Sequence, residues 1–268
     1  MQSSQGDAYP PAEIARRIEQ LGVAKAHSDT PTLLVLSILA GAFISLGALF
    51  YIVVVTDSGL GFGVTRLLGG LSFCLGLILV VVAGAELFTG NNLIAMAWAS
   101  GLIGFREVLR NWVIVYLGNI IGCLGTVLLV LLAGVTNLHD GAIEKTIISI
   151  AQGKINLSPI EAFTRGILCN VCVCLAVWLS IGARSVSGKI LAILFPITAF
   201  VAMGFEHSIA NWFFLPLAIG LSIDPTITIT AALENILIVS IGNIVGGTLL
   251  VAGVYWFAYL RTERVKNN

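Results

Sequence analysis

The chain reads as six long apolar stretches parted by short polar ones: Thr32–Val55, Leu67–Trp98, Val108–Gly134, Ile160–Ile181, Ile190–Leu217 and Ile236–Leu260. Crossing about 30 Å of hydrocarbon at 1.5 Å rise per residue takes about 20 mostly apolar residues. Each stretch meets that length, so the pattern predicts an all-α membrane protein with six transmembrane helices. Residues 1–30 are too polar to span; Pro11–Lys25, with Ile14, Ile18 and Leu21 at helical spacing, reads as an amphipathic helix. The predicted organisation is an N-terminal helical segment over 1–30, a six-span domain over 31–262 and a polar tail over 263–268.

Two stretches are interrupted. Glu86-Leu87-Phe88-Thr89-Gly90-Asn91-Asn92 breaks the second, and Gly204-Phe205-Glu206-His207-Ser208-Ile209-Ala210-Asn211 breaks the fifth. Polar groups in mid-span are costly, and irregular backbone at membrane depth persists only where it is buried or lines a cavity. Both spans are therefore expected to break there and expose half-helix ends near the midplane. Free N–H groups at such ends favour anions.

The halves repeat. Leu109–Gly122 aligns with Leu233–Gly246 at an offset of 124, sharing the Gly-Asn-Ile-x-Gly run. Gly84, Glu86 and Asn91 align with Gly204, Glu206 and Asn211 at an offset of 120. Three spans per half is odd, so two such halves in tandem have opposite topology, a 3+3 inverted repeat. The glycines of the Gly-Asn-x-x-Gly runs are read as close helix contacts, with Asn119 and Asn243 bonding across helices.

Composition sharpens the picture. Hydrophobic residues make up 57% of the 268 and charged residues only 10%, too few to cover a water-facing surface. Lys plus Arg and Asp plus Glu number 14 each, which gives no case for nucleic acid as a partner. The distribution of the bases does carry information. Arg16, Arg17, Lys25, Arg106, Arg110, Arg184, Lys189, Arg261, Arg264 and Lys266 fall on one predicted side, against Arg66, Lys145, Lys154 and Arg165 on the other. Both termini are therefore expected to be cytoplasmic.

Several chemistries are excluded. Cys74, Cys123, Cys169, Cys172 and Cys174 all sit in apolar segments and form neither a metal cluster nor a disulfide framework. There is no pair of intramembrane histidines for haem, no phosphate-binding glycine loop and no Asn-Pro-Ala repeat. Ser208 and His207 are adjacent and cannot face each other as nucleophile and base. No cofactor, metal or catalytic residue is expected, and the chain reads as a transporter rather than an enzyme. His207 is the sharpest candidate, the one histidine inside a span; neutral, it donates and accepts one hydrogen bond, and protonated, it pairs with an anion. Thr89 offers a matching hydroxyl. Glu86 and Glu206 are read as structural, bonding the N–H groups freed at each break.

Val82–Gly90, Gly166–Ala176 and Gly204–Asn211 resemble, in order and spacing, the signatures of the formate/nitrite transporter family, and the resemblance runs from about Pro11 to Arg261. Cys174–Ser180, Gly182, Arg184-Ser185 and Gly242–Gly247 are most similar to its formate channels. Cys172 stands where a bulkier apolar residue is usual, and the loop between the fifth and sixth spans is short for a formate channel. The resemblance implies an aquaporin-like arrangement and a homopentamer with one pore per protomer in the bacterial inner membrane, carrying formate or another small monovalent anion. It implies His207 and Thr89 at the pore centre, with Asn170 and Glu206 orienting His207 and Asn211 as a further supporting polar residue. It also implies a periplasmic constriction of Phe73 and Phe200, a cytoplasmic one of Leu77 and Phe88, anion attraction by Lys154, and a gate loop from Gly90, Asn91 and Asn92 to Ser100. Nitrite and hydrosulfide are alternative substrates. A soluble formate-metabolising enzyme at the N-terminal helix is a further expected partner. The reading from another class is a membrane anchor or regulatory subunit of such an enzyme.

Overall fold

The computed structural model describes residues 8–262; the tail, with Arg264 and Lys266, lies outside the described residues. These fold into helices without a sheet. Five stretches are long and apolar enough to cross a membrane: Thr30–Val55 (α2), Phe62–Gly84 (α3, Phe62–Ile78, running on as a π-helical turn), Phe105–Leu132 (α6), Pro159–Gly182 (α8) and Ile229–Tyr259. The last comprises α11 (Ile229–Val245), a π-helical stretch and α12 (Val254–Tyr259). Two shorter apolar helices, α9 (Val186–Ala202) and α10 (Ser208–Leu221), occupy the predicted fifth span, broken where the polar interruption lies. Exposed Phe50, Leu129 and Leu132 on the long helices and Phe195 on α9 give the apolar outer surface that lipid or another subunit requires.

The amphipathic segment is α1 (Pro11–Ala26). It buries Ile14 and Ile18 and leaves Leu21 about half exposed. Asp29 caps α2 by accepting from Thr32 N, and that bond holds its carboxyl below the usual range. A second amphipathic helix, α7 (Ala142–Ile155), joins α6 to α8 at the opposite end of the molecule and carries Lys154 inward.

Two helix pairs are drawn together by the repeated glycines. A Cβ on Gly122 of α6 would run into Ile38 O of α2, and one on Gly246 would run into Ile167 O of α8. Between each pair of glycines sits a fully buried asparagine, Asn119 or Asn243. The contacts are backbone to backbone, as expected where lipid supplies no hydrophobic drive and close approach carries the packing.

Candidate functional site

Each broken span turns on a glycine. Gly84 (φ 88°) follows the π-helical end of α3, and Gly204 (φ 73°) follows α9. Both lie in the left-handed region where a side chain is strained. The chain then runs extended for a few residues before the next helix begins at Phe88 (α4, Phe88–Asn91) or at Ser208. After α4, a 3-10 turn (Asn92–Ile94) and α5 (Ala95–Ala99) complete the first broken span, so Gly90–Ala99 are short helical turns with Asn91 and Asn92 buried.

The broken backbone is satisfied twice in the same way. Asn119 Nδ2 donates to Ser37 O (2.8 Å) and Glu86 O (2.9 Å), while its Oδ1 accepts from Phe88 N (2.9 Å). Asn243 Nδ2 donates to Gly166 O (2.7 Å) and Glu206 O (3.0 Å), while its Oδ1 accepts from Ser208 N (2.9 Å). Glu86 N and Glu206 N complete each turn by donating to Leu36 O and Arg165 O, both at 3.2 Å. This corrects one sequence expectation. The freed N–H groups are held by asparagines of the neighbouring helix, and the two glutamates have another task.

That task is also duplicated. Lys25 Nζ donates to Glu86 Oε2 (2.9 Å) and Asn91 Oδ1 (2.8 Å). Asn91 Nδ2 donates to Glu86 Oε2 (2.7 Å) and Asn111 Oδ1 (3.0 Å), and Asn111 Nδ2 returns to Lys25 O (3.1 Å). At the other end Lys154 Nζ donates to both oxygens of Glu206 (3.1 Å each). Asn211 Nδ2 donates to Glu206 Oε2 (2.7 Å) and Asn235 Oδ1 (2.8 Å), and Asn235 Nδ2 returns to Lys154 O (2.9 Å). Lys25, Asn111 and Asn235 were not singled out in the sequence.

The two breaks meet at a single hydrogen bond, Thr89 Oγ1 to His207 Nε2, 2.9 Å. Both residues are buried. His207 caps α10, its Nδ1 accepting from Ala210 N (3.1 Å). With Nδ1 occupied as an acceptor, the neutral ring carries its proton on Nε2 and donates it to Thr89, whose own hydroxyl proton is then free for a third partner.

Cavities approach this contact from opposite ends. A cavity of about 940 Å³ on the Lys154 side is lined by Phe73, Phe200, Glu206 and His207; one of about 420 Å³ on the Lys25 side is lined by Leu77, Glu86, Gly90 and Asn91. Phe73 and Phe200 meet edge to face (centroids 5.7 Å), and Phe200 lies over the His207 ring (6.0 Å, 19° between planes). Leu77 lies one turn beyond Phe73 on α3, about 6 Å along the axis. Phe88 packs edge-on against Tyr116 (4.8 Å) and Trp112 (6.2 Å). Asn170 reaches the site through the asparagine clamp: its Nδ2 donates to Asn243 O (2.6 Å), and its buried Oδ1 has no protein partner. All five cysteines are free.

Broken apolar helices that bring buried polar groups together between two opposed cavities define a membrane transport protein. A sequence model of the formate/nitrite transporter family matches residues 12–257. The chain is 41% identical to the formate channel FocA of Escherichia coli (strain K12), over 95% of this chain and 96% of that one. It is 44% identical to the uncharacterized transporter YrhG of Bacillus subtilis (strain 168), over 95% of each. Among solved structures it is similar to a pentameric formate channel with formate bound (39% identity, TM-score 0.80, 86% of this chain and 98% of that one). It is also similar to an FNT family ion channel (29%, TM-score 0.85, 92% and 98%). The chain belongs to the formate/nitrite transporter family. It is a membrane protein of a family of channels and transporters and is not an enzyme.

Proposed function

We propose that the protein is a channel for formate and related small monovalent anions, with its central site at Thr89 and His207. The observation that carries this reading is the buried Thr89–His207 hydrogen bond, with His207 lining the cavity on the Lys154 side and Gly90, next to Thr89, lining the one on the Lys25 side, each cavity beside a lysine–glutamate–asparagine cluster. A buried unpaired charge costs many kcal/mol, so an anion does not pass the Phe73–Phe200 and Leu77–Phe88 constrictions cheaply. The neutral acid does. In this reading the anion is drawn in by Lys154, takes up a proton relayed through His207, crosses as formic acid and returns the proton on leaving. Asn170, Glu206 and Asn211 hold the centre in shape, and Gly90, Asn91 and Asn92 form the gate.

The finer architecture follows the same reading: six spans as an aquaporin-like 3+3 inverted repeat, the second and fifth broken, assembled as a homopentamer in the bacterial inner membrane. The duplicated clamps of Asn119 and Asn243 support the repeat. The grouping of Arg66, Lys145, Lys154 and Arg165 around one cavity supports cytoplasmic termini, with the larger cavity facing outward. The exposed polar face of α1 is the place for a soluble formate-metabolising partner. The test is anion flux into liposomes holding the purified protein between pH 5 and 8. Fast formate flux, lost in His207→Phe and Thr89→Val, supports the reading. Nitrite or hydrosulfide flux without formate keeps the pore and changes the cargo, and no flux of any small anion overturns the channel.

A further inference from the structure

All four basic residues of the less basic end line one cavity: Arg66, Lys145, Lys154 and Arg165. They are not equivalent. Lys154 is paired with Glu206 while lining the cavity. Arg66 and Arg165 have no carboxylate within ion-pair distance among the described residues. Each instead gives one N–H to the end of the broken helix α9: Arg66 Nε to Ala202 O (2.9 Å) and Arg165 Nη1 to Gly204 O (3.4 Å). The nearest acid on the Arg165 helix, Glu161, is occupied by Ser158 N (2.9 Å) and Ser158 Oγ (2.7 Å). Asp57 lies at the rim against His139 (3.6 Å).

The two guanidiniums converge on one point. A Cβ built on Gly204 would stand 2.9 Å from Arg66 Nη2 and 3.9 Å from Arg165 Nη1, so both nitrogens lie close to the same spot. A guanidinium carries five N–H donors. One from each goes to a carbonyl, which fixes the fork; Arg66 also has the Tyr51 hydroxyl as a side-chain hydrogen-bond partner, and the donors left over face the cavity. Both side chains are only partly buried and line the cavity that leads to Phe73 and Phe200. Charge-assisted bonds of about 2.8 Å from both sides suit a small planar oxyanion with two oxygens. A spherical or single-atom anion accepts from such a pair with poorer geometry.

The geometry points to an anion subsite formed by Arg66 and Arg165 ahead of the Phe73–Phe200 constriction. It captures small planar oxyanions, carboxylates of formate size or nitrite, before they reach His207. The inference rests on the channel reading for its cargo but not for its binding chemistry. The carbonyl contacts pre-order the two forks, and Gly204, lacking a side chain, sets no Cβ against Arg66 Nη2.

The test uses the full chain with Arg66→Met, Arg165→Met, Arg165→Lys and the double methionine variant. Formate influx into liposomes is measured against concentration at fixed pH and ionic strength. The half-saturating concentration should rise about three- to fivefold in each single methionine variant, the range expected for losing one partly exposed charge contact. The limiting rate should stay within about twofold, with Arg165→Lys intermediate. For hydrosulfide the half-saturating concentration should move less. A fall in limiting rate with unchanged half-saturation would mean that the arginines only hold the end of α9, and the subsite would be wrong. No change in either would also overturn it. A binding arm is independent of transport: formate should raise the melting temperature of the detergent-solubilised wild type and do so less in Arg165→Met. Equal stabilisation in both overturns the subsite. Absence of wild-type flux with stabilisation lost in the variant sinks the channel reading and keeps the subsite.

Discussion

Asn243→Ala tests whether the break in the fifth span is built by one side chain. The substitution removes three hydrogen bonds at once: to Gly166 O, to Glu206 O and from Ser208 N. Gly166 O is a mid-helix carbonyl and keeps its helical partner. Glu206 O and Ser208 N lie at the break, and the side chain that served them is 0% exposed, so water has no ready route to replace it. Each orphaned buried group costs about 1–3 kcal/mol. Polar contacts inside a membrane often measure near 0.6 kcal/mol, because the unfolded chain in lipid finds other partners. Weighing the two, Asn243→Ala should cost about 2–4 kcal/mol. Denaturant titration in mixed micelles reads this directly, and Asn243→Asp should recover only part, since it accepts from Ser208 N but donates nothing. Flux should fall more steeply than stability, because His207 is the residue before Ser208 and loses its position with it. A variant within about 0.5 kcal/mol of wild type, with unchanged flux, would refute the idea that the asparagine clamp shapes the site.

The other predictions follow from the same duplications. Lys154→Met should destabilise by about 3 kcal/mol and Lys25→Met by about 1, since the side chains of the first ion pair are 12% and 6% exposed and those of the second 31% and 14%; thermal melts with and without Glu206→Gln, which should rescue Lys154→Met, measure the difference. Gly122→Ala and Gly246→Ala should each cost about 1–3 kcal/mol, because the new Cβ meets backbone that cannot yield; folded yield and melting temperature report it. Phe200→Ala should admit acetate at the expense of selectivity while formate flux persists, read as a ratio of initial rates. Asp224, outside the membrane-spanning helices, is held below the ordinary carboxylate range by the Thr226 hydroxyl and backbone N–H. Its contribution is therefore present above the unfolded value of 3.8 and lost as pH falls through the lower folded value; Asp224→Asn should flatten the acid limb of a melting-temperature profile.

Much of the site could be read from the chain because it sits where sequence patterns conflict. A glutamate or a histidine inside an apolar run has no ready place in an unbroken span, so Glu86, Glu206 and His207 announce the breaks, and Gly84 and Gly204 stand two residues ahead of the glutamates. Asn119 and Asn243 were visible in the repeated Gly-Asn-x-x-Gly run, and their bonding across helices was expected. What they bond was not, since the partners Phe88 N and Ser208 N are backbone groups that carry no sequence signal. Lys25 was missed for a different reason. It lies on α1, before the first span, while its counterpart Lys154 lies on α7, between the halves. Each sits in the last turn of the helix that precedes its half's first span, but the two helices share no sequence motif, and only the fold brings each lysine to its glutamate. The convergence of Arg66 and Arg165 is of the same kind, two helices meeting at a third.

The duplications also constrain how the pore can work. Thr89 and His207 lie near the start of the helix that follows each break, Thr89 as the second residue of α4 and His207 at the cap of α10, two positions apart in the register of the repeat, and they are chemically unlike. The frame that holds them is paired: glycine with glycine, asparagine clamp with asparagine clamp, lysine–glutamate with lysine–glutamate. A symmetric pair of histidines would set two like ionisable groups against each other, and a pair of hydroxyls would offer no imidazole. One of each gives a single ionisable group whose Nε2 meets a partner able both to accept and to donate. In the channel proposed above, the paired frame serves an anion arriving from either cavity, and the unlike contact between Thr89 and His207 is where the proton would be handled.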